Sequence, residues 1–119
     1  MATAKRKVAE AEPTLEDLFA AAGRHMLAAH PKDAWGRMLH APAITTGGKC
    51  FAFLTSSGLV VKLPEDRVVT LIAAGEGRPL DIGKGRPMRE WVRLAPADER
   101  ACIAYMTEAR TFVRALAKR

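Results

Sequence analysis

The chain has 119 residues, 49% of them hydrophobic and 27% charged. That is one domain with enough chain to bury its own core, and it rules out whole-chain disorder, collagen or coiled coil. Nineteen Lys and Arg against thirteen Asp and Glu leave a net charge of +6, an excess that admits acidic partners without naming one.

Residues 1–12 are charged and Ala-rich and read as a disordered tail, so the domain is expected over 13–119. Lys5, Arg6 and Lys7 could begin a secretory signal, but no apolar stretch follows them. No run approaches the roughly 18 apolar residues of a membrane helix. The two cysteines, Cys50 and Cys102, lack C-x-x-C spacing and sit among apolar residues, which reads as reduced core thiols in a cytoplasmic protein.

Thr14, with Asp17 three residues on, announces a helix with Leu15, Leu18, Phe19, Ala22 and Met26 on one face. Pro31 ends it near His30. The period then changes. Gly47-Gly48 separates Ala43–Thr46 from Cys50–Thr55, and Ser57-Gly58 separates that run from Leu59–Leu63. Two glycine turns between β-rich runs predict a three-stranded antiparallel meander. Glu65 to Ala74 predicts a short helix with Val68, Val69, Leu71 and Ile72 on its apolar side. Residues 76–87, rich in Gly and Pro, read as a long loop, and Arg89–Leu94 as a short strand. The last helix, Asp98 to about Ala117, carries the stripe Cys102, Tyr105, Met106, Ala109, Phe112, Val113 and Leu116, with Met106 and Phe112 expected to anchor it. The order predicts an α+β fold, an antiparallel sheet of about four strands with the helices over one face.

Several of these residues carry a family resemblance. Gly48-Lys49-Cys50-Phe51-Ala52-Phe53, then Leu59-Val60-Val61-Lys62-Leu63, then Arg67 and Gly85-Arg86-Pro87-Met88-Arg89-Glu90-Trp91 follow one another in order. This set resembles the N-terminal domain of the TfoX/Sxy family of competence regulators, and its layout is similar to the MmcQ/YjbR-like proteins. The resemblance spans about residues 35–117. The family usually starts its first strand Met-Phe-Gly-Gly, where this chain has Met38-Leu39-His40-Ala41. The resemblance implies a compact α+β domain and, by association, transcriptional or DNA-linked regulation.

The residues advertise no catalytic set. His25 and His30 are five apart, too far round a helix to share a metal, and His40 is alone. No nucleophile elbow surrounds Ser56 or Ser57. Gly77 to Gly83-Lys84 has one residue too many for a P-loop, and Gly85 takes the place of its hydroxyl residue. No enzyme activity, cofactor or metal is expected.

What remains is basic. Arg78, Lys84, Arg86, Arg89 and Arg93 fall within sixteen residues, and alternation puts Arg89, Trp91 and Arg93 on one face of a strand. An aromatic between two arginines can stack a base and hold phosphates, which makes these six residues the candidate nucleic-acid site. The pattern equally allows Trp91 in the core with the arginines snorkelling at its rim. Arg110, Arg114 and Lys118, spaced by four, form a second basic ridge. The expected partner is nucleic acid or a regulatory protein. The alternatives are a protein-interaction module and a small-ligand binder using the curved sheet and glycine loop as a pocket.

Overall fold

The computed structural model describes residues 14–38, 40–81 and 87–118. Nine elements follow one another in chain order. Helix α1 (Leu15–Ala29) leads into strands β1 (Ala34–Met38), β2 (Ala41–Thr46), β3 (Lys49–Thr55) and β4 (Gly58–Lys62). Helix α2 (Glu65–Ala73), strands β5 (Gly77–Asp81) and β6 (Pro87–Leu94) and helix α3 (Glu99–Ala117) complete the chain. All strand pairings are antiparallel, and the sheet runs β1-β2-β3-β4-β6-β5. The expected α+β class and the meander are therefore present, but the sheet has six strands rather than about four.

The two additional strands are the two edges, and each was obscured for a physical reason. Ala34-Trp35-Gly36-Arg37-Met38 is poor in β-branched residues. Gly77-Arg78-Pro79-Leu80-Asp81 looks like loop because of its Gly and Pro. An edge strand tolerates Pro79, whose missing N–H needs no ladder partner on the outer side. Residues 1–13 and 82–86 lie outside the described residues, so the expectation of a disordered tail falls outside them too.

The helices begin where their caps place them. Thr14 Oγ1 accepts from the Asp17 amide, and the Asp17 carboxylate accepts from the Thr14 amide, closing a capping box. Asp98 caps α3 through the Ala101 amide at 2.8 Å. Both helices bury their predicted faces against one side of the sheet. Phe19, Ala22 and Met26 of α1 and Cys102, Met106, Ala109 and Val113 of α3 meet Ile44, Phe51, Leu59, Val61, Val92 and Leu94. Two details depart from expectation. Phe112 is only half-buried, so Met106, fully enclosed, is the anchor of the pair. Val69 faces solvent, 59% exposed, because Val68 and Leu71, with Ile72 packed beside them, take α2 into the core. Arg67, at the start of α2, reaches across to Glu108 of α3 at 2.7 Å. At the surface such a pair is worth about 1 kcal/mol or less.

The other face of the sheet carries a smaller cluster: Ala43, Phe53, Val60, Leu80 and Trp91, all buried, with Met38, Ala41 and Cys50 packed against it. What sorts β3 between the faces is a register shift opposite Ile44 and Thr45. Ile44 pairs with Ala52 but Thr45 pairs with Cys50, so Phe51 is the extra residue of a β-bulge. Phe51 and Ala52 both turn toward the helices, while Cys50 and Phe53 join the opposite cluster.

Candidate functional site

The bulge also opens a cleft. Pairing between β3 and β4 stops at Ala52–Val61, so Lys49 and Cys50 run on without a partner on that side. β4 meanwhile continues its pairing with β6 as far as Lys62–Trp91. Between the diverging strands lies a cleft of about 490 Å³. Val113, Leu116 and Ala117 of α3 form one wall, and Met38, Cys50 and Trp91 extend the apolar lining. The cleft reaches the Gly47-Gly48 turn, where both glycines have positive φ, 58° and 79°, as a tight two-residue hairpin loop requires.

Its polar lining is cationic. Arg37, Lys49 and Lys62 line it, and no Asp or Glu is among the described residues that do. Lys62 is the most constrained of the three. Its ammonium sits 5.3 Å from the centre of the Trp91 ring and 3.7 Å from the Glu90 carboxylate. Arg37 donates to the His40 carbonyl at 3.2 Å. Cys50 donates its thiol hydrogen to the Ala52 carbonyl at 3.5 Å, and burial pushes its pKa up to about 11. A thiol so raised is protonated at neutral pH and is no nucleophile there. The arrangement can hold an anion with an apolar body.

The residues singled out in the sequence are dispersed. Arg78 and Arg93 are direct cross-strand partners, and Arg89 shares their face by alternation. Arg78 and Arg89 are exposed. Arg93 is half-buried: its stem crosses Gly58, where a Cβ would lie 2.7 Å from its Cγ, and its guanidinium donates to Ser57 Oγ at 3.0 Å. Lys84 and Arg86 lie outside the described residues. Trp91 does not offer a ring face to a base. It is 6% exposed, with Phe53 against it edge-on at 5.5 Å and Lys62 above it. Of the two readings that the sequence left open, the core one describes Trp91.

The ridge on α3 also divides. Arg110 forms a bidentate ion pair with Asp33, at 2.6 and 3.2 Å, with Asp33 buried. Arg114 reaches Thr46 Oγ1 at 3.4 Å, and Lys118 caps the helix in solvent. Arg110 thus fastens the helix to the loop before β1 rather than offering its charge outward. Among the described residues no three of His, Cys, Asp and Glu come together as a metal site. No described helix is long and apolar enough to cross a membrane.

The cleft residues Arg37, Lys49 and Lys62 were not singled out in the sequence. Their signal was present but faint: Lys49 opens β3 just before its apolar run, and Lys62 is the charge that interrupts the apolar run Leu59–Leu63. Comparison with family models, with curated proteins and with solved structures gave no match to the chain.

Proposed function

We propose that this is a non-catalytic regulatory module of the TfoX type, working in the cytoplasm, that binds an amphipathic anion in the cleft between β3 and β4. The observation that carries the reading is the lining: apolar walls from Trp91, Met38 and Leu116 with Arg37, Lys49 and Lys62, and no carboxylate among the described lining residues, Glu90 meeting Lys62 from outside them. A pocket of mostly apolar surface with a few convergent polar groups is the usual form of a small-molecule site. The regulatory part rests on the resemblance. Of the segments that carry it, the first two supply the cleft's lysines, Lys49 and Lys62.

The test is calorimetric titration with 2-naphthyl phosphate, 2-naphthoate and neutral 2-naphthol. The anions should bind and the alcohol should not. Lys62→Met and Lys49→Met should each weaken the phosphate by about tenfold, the loss expected for one charge-assisted contact. Equal binding of all three compounds, or indifference to both substitutions, would reject the site.

A second reading, nucleic-acid contact, keeps one specific support: Arg78 and Arg93 are cross-strand partners, and strand alternation puts Arg89 on the face of Arg93. Contact there would be with phosphates and without base stacking, because Trp91 is enclosed. Removing Arg78 and Arg89 together should lower the slope of log affinity against log salt by about two units on duplex DNA. An unchanged slope, or no binding at low salt, removes this reading.

A further inference from the structure

The sheet has two outer strands, and they are built differently. At β5, Pro79 carries no N–H, and pairing with β6 shifts register between Pro79 and Asp81. Both features discourage the addition of another strand. At β1, five consecutive residues pair with β2 without interruption, from Ala34–Thr45 to Met38–Ala41. None of them is proline, and no described strand lies beyond. On this edge stands Trp35, 46% exposed. Its ring is held, not loose. It packs edge-on against Phe19 at 5.8 Å, and it lies over Gly23, where a Cβ would come within 2.1 Å of the indole. Helix α1 thus forgoes a side chain to seat a ring that remains partly open to solvent.

We propose that β1 is a homodimer edge: two copies pair antiparallel through Ala34–Met38 about a two-fold axis at Gly36. The occupant is a second copy because the strand complements itself in that register. Centring the axis on Gly36 pairs all five residues and sets Trp35 opposite the partner subunit's Arg37, and Arg37 opposite the partner subunit's Trp35. The two side chains share one face of the strand, so each guanidinium meets an indole. Moving the axis to Arg37 would oppose two like charges, and moving it to Trp35 would pair fewer residues. Gly36 places no side chain at the axis. The result is one continuous sheet of twice six strands, with an isologous contact. Arg37 also lines the cleft, so the partner subunit's Trp35 comes to its mouth, but the pairing does not depend on what the cleft binds.

Sedimentation of the full chain over a concentration series is the first arm of the test. It should report a reversible monomer–dimer equilibrium. Arg37→Glu should weaken it by roughly tenfold, because the cation–π contact occurs twice. The second arm is Gly36→Cys in a Cys50→Ala background under mild oxidation. Opposed residues at the axis bring Cα atoms to about 4.5–5.5 Å, within disulfide reach, so a cross-linked dimer should accumulate. A monomer at every concentration without cross-link overturns the proposal. So does a dimer that Gly36→Cys fails to link or that Arg37→Glu leaves intact, since the contact would then lie elsewhere, for example at exposed Val69.

Discussion

Phe51 and Phe53 lie two residues apart on β3 and are both buried, yet they belong to different cores. Phe51 sits beneath α1 and α3, in a cluster drawn from helices and sheet alike. Phe53 sits on the opposite face in a cluster of five buried residues, one from each of the strands β2 to β6. The first core is closed by rigid helices. The second is closed by side chains, among them the stem of Lys62 and the ring of Trp91. A face closed by side chains can be opened by a ligand that replaces them, and a face closed by helices cannot without unfolding. That difference is why the cleft lies where the second face meets the end of α3.

Truncation should break the comparison most directly. Phe51→Ala leaves a cavity that helices and sheet cannot collapse into, and should cost about 4–5 kcal/mol. Phe53→Ala removes the same atoms where Trp91 and Lys62 can move in, and should cost about 3 kcal/mol. Urea midpoints of the two variants measure this. Equal losses would mean that both faces are equally rigid.

The sequence made the first core legible and the second nearly invisible. The stripes of α1 and α3 repeat at helical spacing, and Thr14 and Asp98 mark their starts, so those helices were placed to within about a residue. The strands' alternation was readable only where it is regular. A bulge at Phe51 reverses alternation for the rest of β3, and nothing in Cys50-Phe51-Ala52-Phe53 announces it. The cleft follows from the bulge, so its residues went unseen. The pairing of Arg110 was hidden for a related reason. Its partner Asp33 is 77 positions away, and only the tertiary fold turns a surface ridge into an internal clamp.

That clamp offers the next prediction, intermediate in size. Burial alone would raise the Asp33 pKa; hydrogen bonds from Arg110 and Thr46, with the positive charge of Arg110, outweigh it and hold the carboxyl below its ordinary value. A carboxyl lowered on folding contributes stability above its unfolded pKa and loses it as pH falls through the folded one. Asp33→Asn should therefore cost about 2–3 kcal/mol at neutral pH, less than a fully enclosed pair because Arg110 keeps some solvent. The gap between wild type and variant should narrow below about pH 4. Urea unfolding at pH 7 and pH 3 checks both parts, and a gap that does not change with pH would show that the pair is not what holds the carboxyl ionised.

The smallest effect is a rate, and it samples the two faces within one molecule. Cys102 lies under α3 in the first core, fully enclosed; Cys50 lies half-buried in the cleft lining. Burial raises both thiols to about 11, so neither is appreciably ionised at neutral pH, and acidity cannot distinguish them. Access can. Iodoacetamide should modify Cys50 slowly, with a rate that rises about tenfold per pH unit below its pKa, since only the thiolate reacts. Cys102 should react only when the helix layer opens, at a rate governed by the free energy of that opening. Adding 2-naphthyl phosphate should slow Cys50 further by covering it. Its effect on Cys102 should be no larger than the general stabilisation that any bound ligand confers. Peptide mass mapping of the native protein over time separates the two thiols. Equal rates at Cys50 and Cys102 would mean that the second face opens no more readily than the first, and the cleft would lose its claim to be the site where a ligand enters.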